Sequence, residues 1–149
     1  MTTRVWSDAV DIRRPMDAVF SYIADPSTGT NWIKGVTKIE LLDPPPIHVG
    51  SRFLATRQVG KRLTTEQIHV IEHDPPTRFG VGAGLMGGGI ELRINYSLTP
   101  SAPGVRIESR TQASAKTFGS RLFFGMVWKA VTENDAGNLR TLKTLLERA

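Results

Sequence analysis

The stretch FGSRLFFGMVWKAVTENDAGNLRTLKTLLER, residues 118–148, decides the fold. It reads as one long amphipathic helix that follows an almost unbroken run of strand-like segments. At ~1.5 Å rise per residue it reaches roughly 45 Å, enough to cross a whole sheet. Phe123, Val127, Val131, Leu142 and Leu145 recur at helical spacing and fall near one stripe. Gly125 and Gly137 interrupt the pattern, each at about 1 kcal/mol against alanine. They leave open close packing, a kink near Asn134 to Gly137, or a division into two helices.

Upstream of this helix the period is two. Residues 4–12 alternate loosely as a first strand. Pro15 and Asp17 then open a short helix that buries Val19, Phe20 and Ile23, and Asp25-Pro26 stops it. Residues 26–32 make a turn or a second short helix. Six strands follow, at 36–42, 51–59, 63–73, 77–83, 90–98 and 105–115. Gly60-Lys61 marks a hairpin turn, and Pro44-Pro45-Pro46, Pro75-Pro76 and Pro100 to Gly104 mark others. The cleanest alternation puts Ile90, Leu92, Ile94, Tyr96 and Leu98 inward and Glu91, Arg93, Asn95 and Ser97 outward. Short turns between successive strands predict an antiparallel sheet and an α+β architecture. A curved sheet closed by one long helix encloses space for a ligand.

The composition excludes several classes. The chain has 149 residues, of which 40% are hydrophobic and 22% charged, which suits a single domain, residues 1–149. Cysteine is absent, so there is no disulfide framework or thiolate metal site, which fits a cytoplasmic location. The first residues lack the apolar core of a signal peptide, and no apolar stretch is long enough for stable membrane insertion. The net charge of +5 raises nucleic acid as a partner. Against it, signs are mixed on the strand faces (Arg106, Glu108 and Arg110; Glu91 and Arg93), with no basic run and no aromatic stripe among basic residues. The expectation is no nucleic acid, and a monomer or homodimer.

Several motifs together resemble the START-like or SRPBCC superfamily, which includes polyketide cyclases, lipid-transfer domains and Bet v 1-type allergens. They are the entry Ile12 to Phe20, with its Pro15 before an acidic residue and Val19-Phe20; Asn31-Trp32 before the second strand; Val49-Gly50-Ser51-Arg52-Phe53 at the third; Asp74-Pro75-Pro76-Thr77-Arg78 in a turn; and the hairpin from Leu98 to Val105. The resemblance covers essentially the whole chain. It implies a helix-grip fold, with about seven curved antiparallel strands wrapped around the C-terminal helix and one or two short helices after strand 1. It also implies an internal cavity for a lipid-, polyketide- or sterol-like molecule. It transfers no catalytic residue and requires no cofactor.

The candidate ligand contacts are Trp32, Phe53, Glu66, Ile68, Ile94, Tyr96, Ser109, Thr111, Phe123, Val127, Val131 and Asn134. Glu66 shares a strand face with Ile68 and Val70. A carboxylate held there is a candidate general acid or base. The competing reading is a glutamate that reaches solvent or pairs with Arg57 or Arg62. Tyr96 is an inward phenol that needs a partner in the core or on a ligand. Ser109, Thr111 and Asn134 are polar groups at core-facing positions, as in a cavity with a few orienting hydrogen bonds. Trp32 either pins a corner or lines the cavity mouth. His69 and His73 share one strand face roughly 13 Å apart, too far for one metal ion. Gly82 to Gly87 matches G-x-G-x-x-G, but a period-two strand follows it, so it reads as a hairpin whose Leu85 and Met86 fold over a cavity entrance. Phe124 and Trp128 lie off the helical stripe and suggest a dimer or membrane-surface contact. Two functions follow: a soluble carrier of an apolar or amphipathic molecule, or a cyclase/dehydratase-type enzyme using Glu66 or Tyr96.

Overall fold

The computed structural model describes residues 2–148, with the side chains of Val59 and Met86 excepted. Seven strands form one antiparallel sheet: β1 (Thr2–Ile12), β2 (Val36–Leu41), β3 (Arg52–Val59), β4 (Arg62–Asp74), β5 (Arg78–Leu85), β6 (Ile90–Ser101) and β7 (Gly104–Ala115). Their spatial order is β1-β7-β6-β5-β4-β3-β2. The first and last strands of the chain therefore pair, and β1 and β2 are the sheet edges. Between them run α1 (Met16–Ile23), a single 3-10 turn and α2 (Gly29–Trp32). This is the helix-grip arrangement expected from the sequence.

The sheet curves because its ladders are interrupted. The β2–β3 register shifts between Val36 and Lys38, and the β4–β5 register between Val70 and Glu72. An extra residue bends its strand and increases the local twist. The second bulge also corrects the expected placement of the histidines. His69 and His73 do not share a face. His73 turns inward against Phe20 and Phe79, with ring centroids 5.7 and 6.3 Å away. His69 stays outside, exposed.

The C-terminal helical segment spans residues 118–148 with a break in its middle. α3 runs from Phe118 to Asp135 and α4 from Asn138 to Arg148. Gly137 between them has φ +87°, a left-handed conformation that favours glycine. The N-terminus of α3 is fixed by a reciprocal capping box between Thr117 and Ser120.

The two helices meet the sheet differently. α4 presses Leu139 and Leu142 into the main core beside Ile12, Phe20, Val105 and Ile107. It is tied down at its far end, where Arg14 Nε donates to the Leu146 carbonyl at 2.7 Å and the Arg13 N–H donates to Glu147 at 2.9 Å. α3 is anchored mainly through Phe124, which packs with Ile90, Ala113 and Ala115 in a separate cluster. The space between the two clusters is a cavity. Phe124 and Trp128 are thus not the exposed edge that the sequence suggested. Phe124 is 3% exposed beneath the Arg4 guanidinium, and Trp128 packs beside it.

Candidate ligand-binding site

The cavity has two chambers. The deep one, about 80 Å³, is enclosed by α2, the start of β2 and the inner faces of β3 to β6. Its walls are mainly apolar, with Ile39, Ala55, Ile68, Val81 and Ile94. The outer chamber, about 340 Å³, opens between α3 (Val127, Ala130, Val131) and the strands β4 to β6. Arg57, Ile94 and Asp135 line both, so they form the waist where the chambers meet.

Strand alternation places the waist. On β3 the side chains of Phe53, Ala55 and Arg57 all turn inward, so a guanidinium follows two apolar groups into the cavity wall. Arg57 Nη1 donates to the Lys34 carbonyl at 3.4 Å. Asp135 comes from the last turn of α3, and its Oδ2 accepts from the Thr111 hydroxyl at 3.0 Å. Burial pushes the Asp135 carboxyl above its ordinary value, while the Thr111 hydrogen bond and the Arg57 charge pull it partly back. The helix end opposes its negative charge as well.

Tyr96 lies against Trp32 in an edge-on contact, with centroids 5.9 Å apart. Burial pushes its phenol up, Asp135 adds to the shift, and Arg57 opposes it. The phenol therefore stays protonated at neutral pH, with its proton available for donation to a ligand. Trp32 is 4% exposed, and its indole Nε1 is a buried polar atom without a partner among the described residues. A buried N–H without an acceptor is costly, and a ligand oxygen or a water would relieve it. A small hollow of about 10 Å³ lies among Trp32, Tyr96, Ser109, Thr111, Asp135 and Asn138, the size of a single water.

Of the residues expected from the sequence, Trp32, Phe53, Ile68, Ile94 and Tyr96 line the deep chamber. Glu66, Val127, Val131 and Asn134 line the outer one. Glu66 is half-buried there in the company of Arg57 and Arg62, so its inward direction and its cationic neighbours are both present. Ser109 and Thr111 line the polar hollow. Leu85 reaches the outer chamber; the Met86 side chain lies outside the described residues. Phe123 is the correction. It is 50% exposed and points away from the sheet, because the inward face of α3 passes through Phe124 instead. One residue along a helix turns a side chain by about 100°, and two adjacent phenylalanines allow either phase.

Arg57 and Asp135 were missed as site residues, although both had a signal. Arg57 continues the Phe53 alternation, and Asp135 lies four residues beyond Val131 on the same helical stripe. Among the described residues no cluster of His, Asp or Glu is placed to hold a metal ion, and no helix is long and apolar enough to cross a membrane.

Sheet, helices and cavity define a helix-grip protein. Residues 4–147 match the family described as polyketide cyclase / dehydrase and lipid transport, and the chain belongs to that family. No curated protein matches it. Among solved structures it is similar to the Zhui aromatase/cyclase from Streptomyces sp. R1128, with TM-score 0.81 at 13% identity, covering 99% of this chain and 95% of that one. It is also similar to Ara h 8.0201, with TM-score 0.78 at 10% identity, covering 99% and 100%. Norcoclaurine synthase from Thalictrum flavum, in complex with dopamine and hydroxybenzaldehyde, aligns with TM-score 0.71 at 14% identity, covering 97% and 87%. At these identities the likeness is one of fold.

Proposed function

We propose that the protein binds an apolar or amphipathic small molecule, lipid-, polyketide- or sterol-like, within the two chambers. The observation that carries this reading is the distribution of polarity: a deep chamber with mainly apolar walls, and charged groups at the waist (Arg57 and Asp135) and in the outer chamber (Arg62 and Glu66). Apolar burial at roughly 25 cal/mol per Å² supplies affinity, and the waist supplies orientation. The partner is a small molecule rather than nucleic acid, and the absence of cysteine favours the cytoplasm. Titration with a fluorescent apolar reporter such as N-phenyl-1-naphthylamine tests it. Saturable one-to-one binding is expected, weakened at least tenfold by Ala55→Phe, which fills the deep chamber, with folding confirmed by circular dichroism. Binding that Ala55→Phe leaves intact contradicts it.

A second reading, proton-transfer catalysis of the cyclase/dehydratase type, is favoured by one observation. Asp135 carries a raised carboxyl beside a protonated phenol and a guanidinium. In such a reaction the carboxylate takes a proton from the carbon next to a ligand carbonyl. Tyr96 and Arg57 stabilise the charge that develops on the carbonyl oxygen. The proton then passes to a leaving hydroxyl, which departs as water as the carbon–carbon double bond forms. Asp135 thereby joins Glu66 and Tyr96 as a candidate for handling protons. Asp135→Asn removes this chemistry while leaving reporter affinity within a few-fold. An unchanged turnover number would exclude Asp135.

A further inference from the structure

α3 is apolar on two sides. Phe124, Val127 and Val131 face the sheet and the cavity, whereas Phe118 (77% exposed), Leu122 (66%) and Met126 (67%) run along the opposite side, with Phe123 beside them. A helix apolar all round is normally covered, and a cluster of large exposed apolar groups marks a contact surface. This one adjoins the cavity, because Ala130 is exposed on the same side of α3 as Phe123 and Met126 and also lines the outer chamber.

The charge around this face is mainly basic, with Lys116 paired to Glu91 of β6. From Lys116 to Thr132 the chain carries three basic residues (Lys116, Arg121 and Lys129) and no acidic one. Lys61 and Arg62, in the β3–β4 hairpin, lie at the end of the sheet where β7 stops and α3 starts. Glu133, the next acidic residue along the helix, lies 4.0 Å from Lys129.

We propose that this face of α3 docks reversibly on an anionic phospholipid bilayer, with the mouth of the outer chamber beside the contact. Apolar side chains enter the interface and the surrounding cations meet the lipid phosphates, as in an interfacial amphipathic helix. A second copy of the chain is the less favoured occupant, since the same cations would face one another. The contact does not depend on a ligand in the cavity.

Vesicle co-sedimentation tests it, with phosphatidylcholine alone and phosphatidylcholine mixed with phosphatidylglycerol, at low and high salt. The protein is expected to partition onto the anionic vesicles, less so at high salt. The double variant L122S/M126S should weaken partitioning by about tenfold or more, because two apolar side chains are lost from the interface. R121Q/K129Q should weaken it and flatten its salt dependence. Both variants should keep the native circular dichroism spectrum and bind the cavity reporter as before, which separates this proposal from the ligand-binding reading. It is overturned if anionic vesicles do not retain the protein or if L122S/M126S partitions unchanged. It is also overturned if light scattering shows a dimer that L122S/M126S dissociates.

Discussion

Asp135 stands at the intersection of the site's electrostatics. Its carboxyl is raised chiefly by burial, against the pull of Thr111 and Arg57. A carboxyl whose folded pKa exceeds its unfolded value binds more protons in the folded state. Its ionisation therefore opposes folding. The contribution is fully present below the unfolded value of about 3.9 and is lost as pH rises through the folded value. Relative to Asp135→Asn, the wild-type chain should lose stability across that window and level off above it. Urea denaturation from acidic to neutral pH measures the difference, and a pH-independent difference would contradict it. The paired carboxylates behave in the opposite sense. Glu72 is held low by Arg78 and Asn95, so its contribution is present above the unfolded value and lost as pH falls through the folded one. The Asp135 position was legible in principle from the stripe through Val127 and Val131. A polar run ending at Gly137 reads first as a helix terminus, however, and only tertiary packing buries it.

At the scale of elements, strand existence and direction followed from turns and period-two patterning. Ile90, Tyr96 and Leu98 face inward as alternation requires, and Ser109 and Thr111 do so on β7. Alternation failed where a bulge adds a residue. Nothing in the local sequence around Ile71 announces one, so His73 was placed on the wrong face. Helical phase was ambiguous for a similar reason, because Phe123 and Phe124 satisfy the stripe equally until the sheet selects one. The two glycines of the C-terminal segment prove unlike. Gly137 has a positive φ, whereas Gly125 sits within regular helix, and an added Cβ meets nothing within 4 Å at either position. Gly137→Ala should therefore destabilise by about 1–2 kcal/mol through backbone strain alone. Gly125→Ala should stabilise by up to about 1 kcal/mol. Thermal denaturation of the two variants should show shifts of opposite sign. A destabilised Gly125→Ala would mean that α3 packs more closely than described.

At the scale of the molecule, the helix-grip architecture was readable because each level agreed: turns, patterning and one terminal helix all point to one curved sheet and its closure. The interior was less readable. A cavity is the absence of packing, and the lining residues Ile39, Ala55 and Val81 look in sequence like any core positions. Its existence follows from how the two helices divide their work, with α4 packed tightly through Leu139 and Leu142 and α3 meeting the sheet mainly at its two ends, through Phe124 and through the Asp135–Thr111 hydrogen bond. The central claim is that this space, and not the outer face of α3, takes an apolar ligand. The most direct measurement is a methyl-resolved NMR titration with N-phenyl-1-naphthylamine, reading intermolecular contacts to the protein. The structure predicts contacts to the methyl groups of Ile39, Ala55, Ile68, Val81 and Ile94. Contacts confined to Leu122 and Met126 would contradict it.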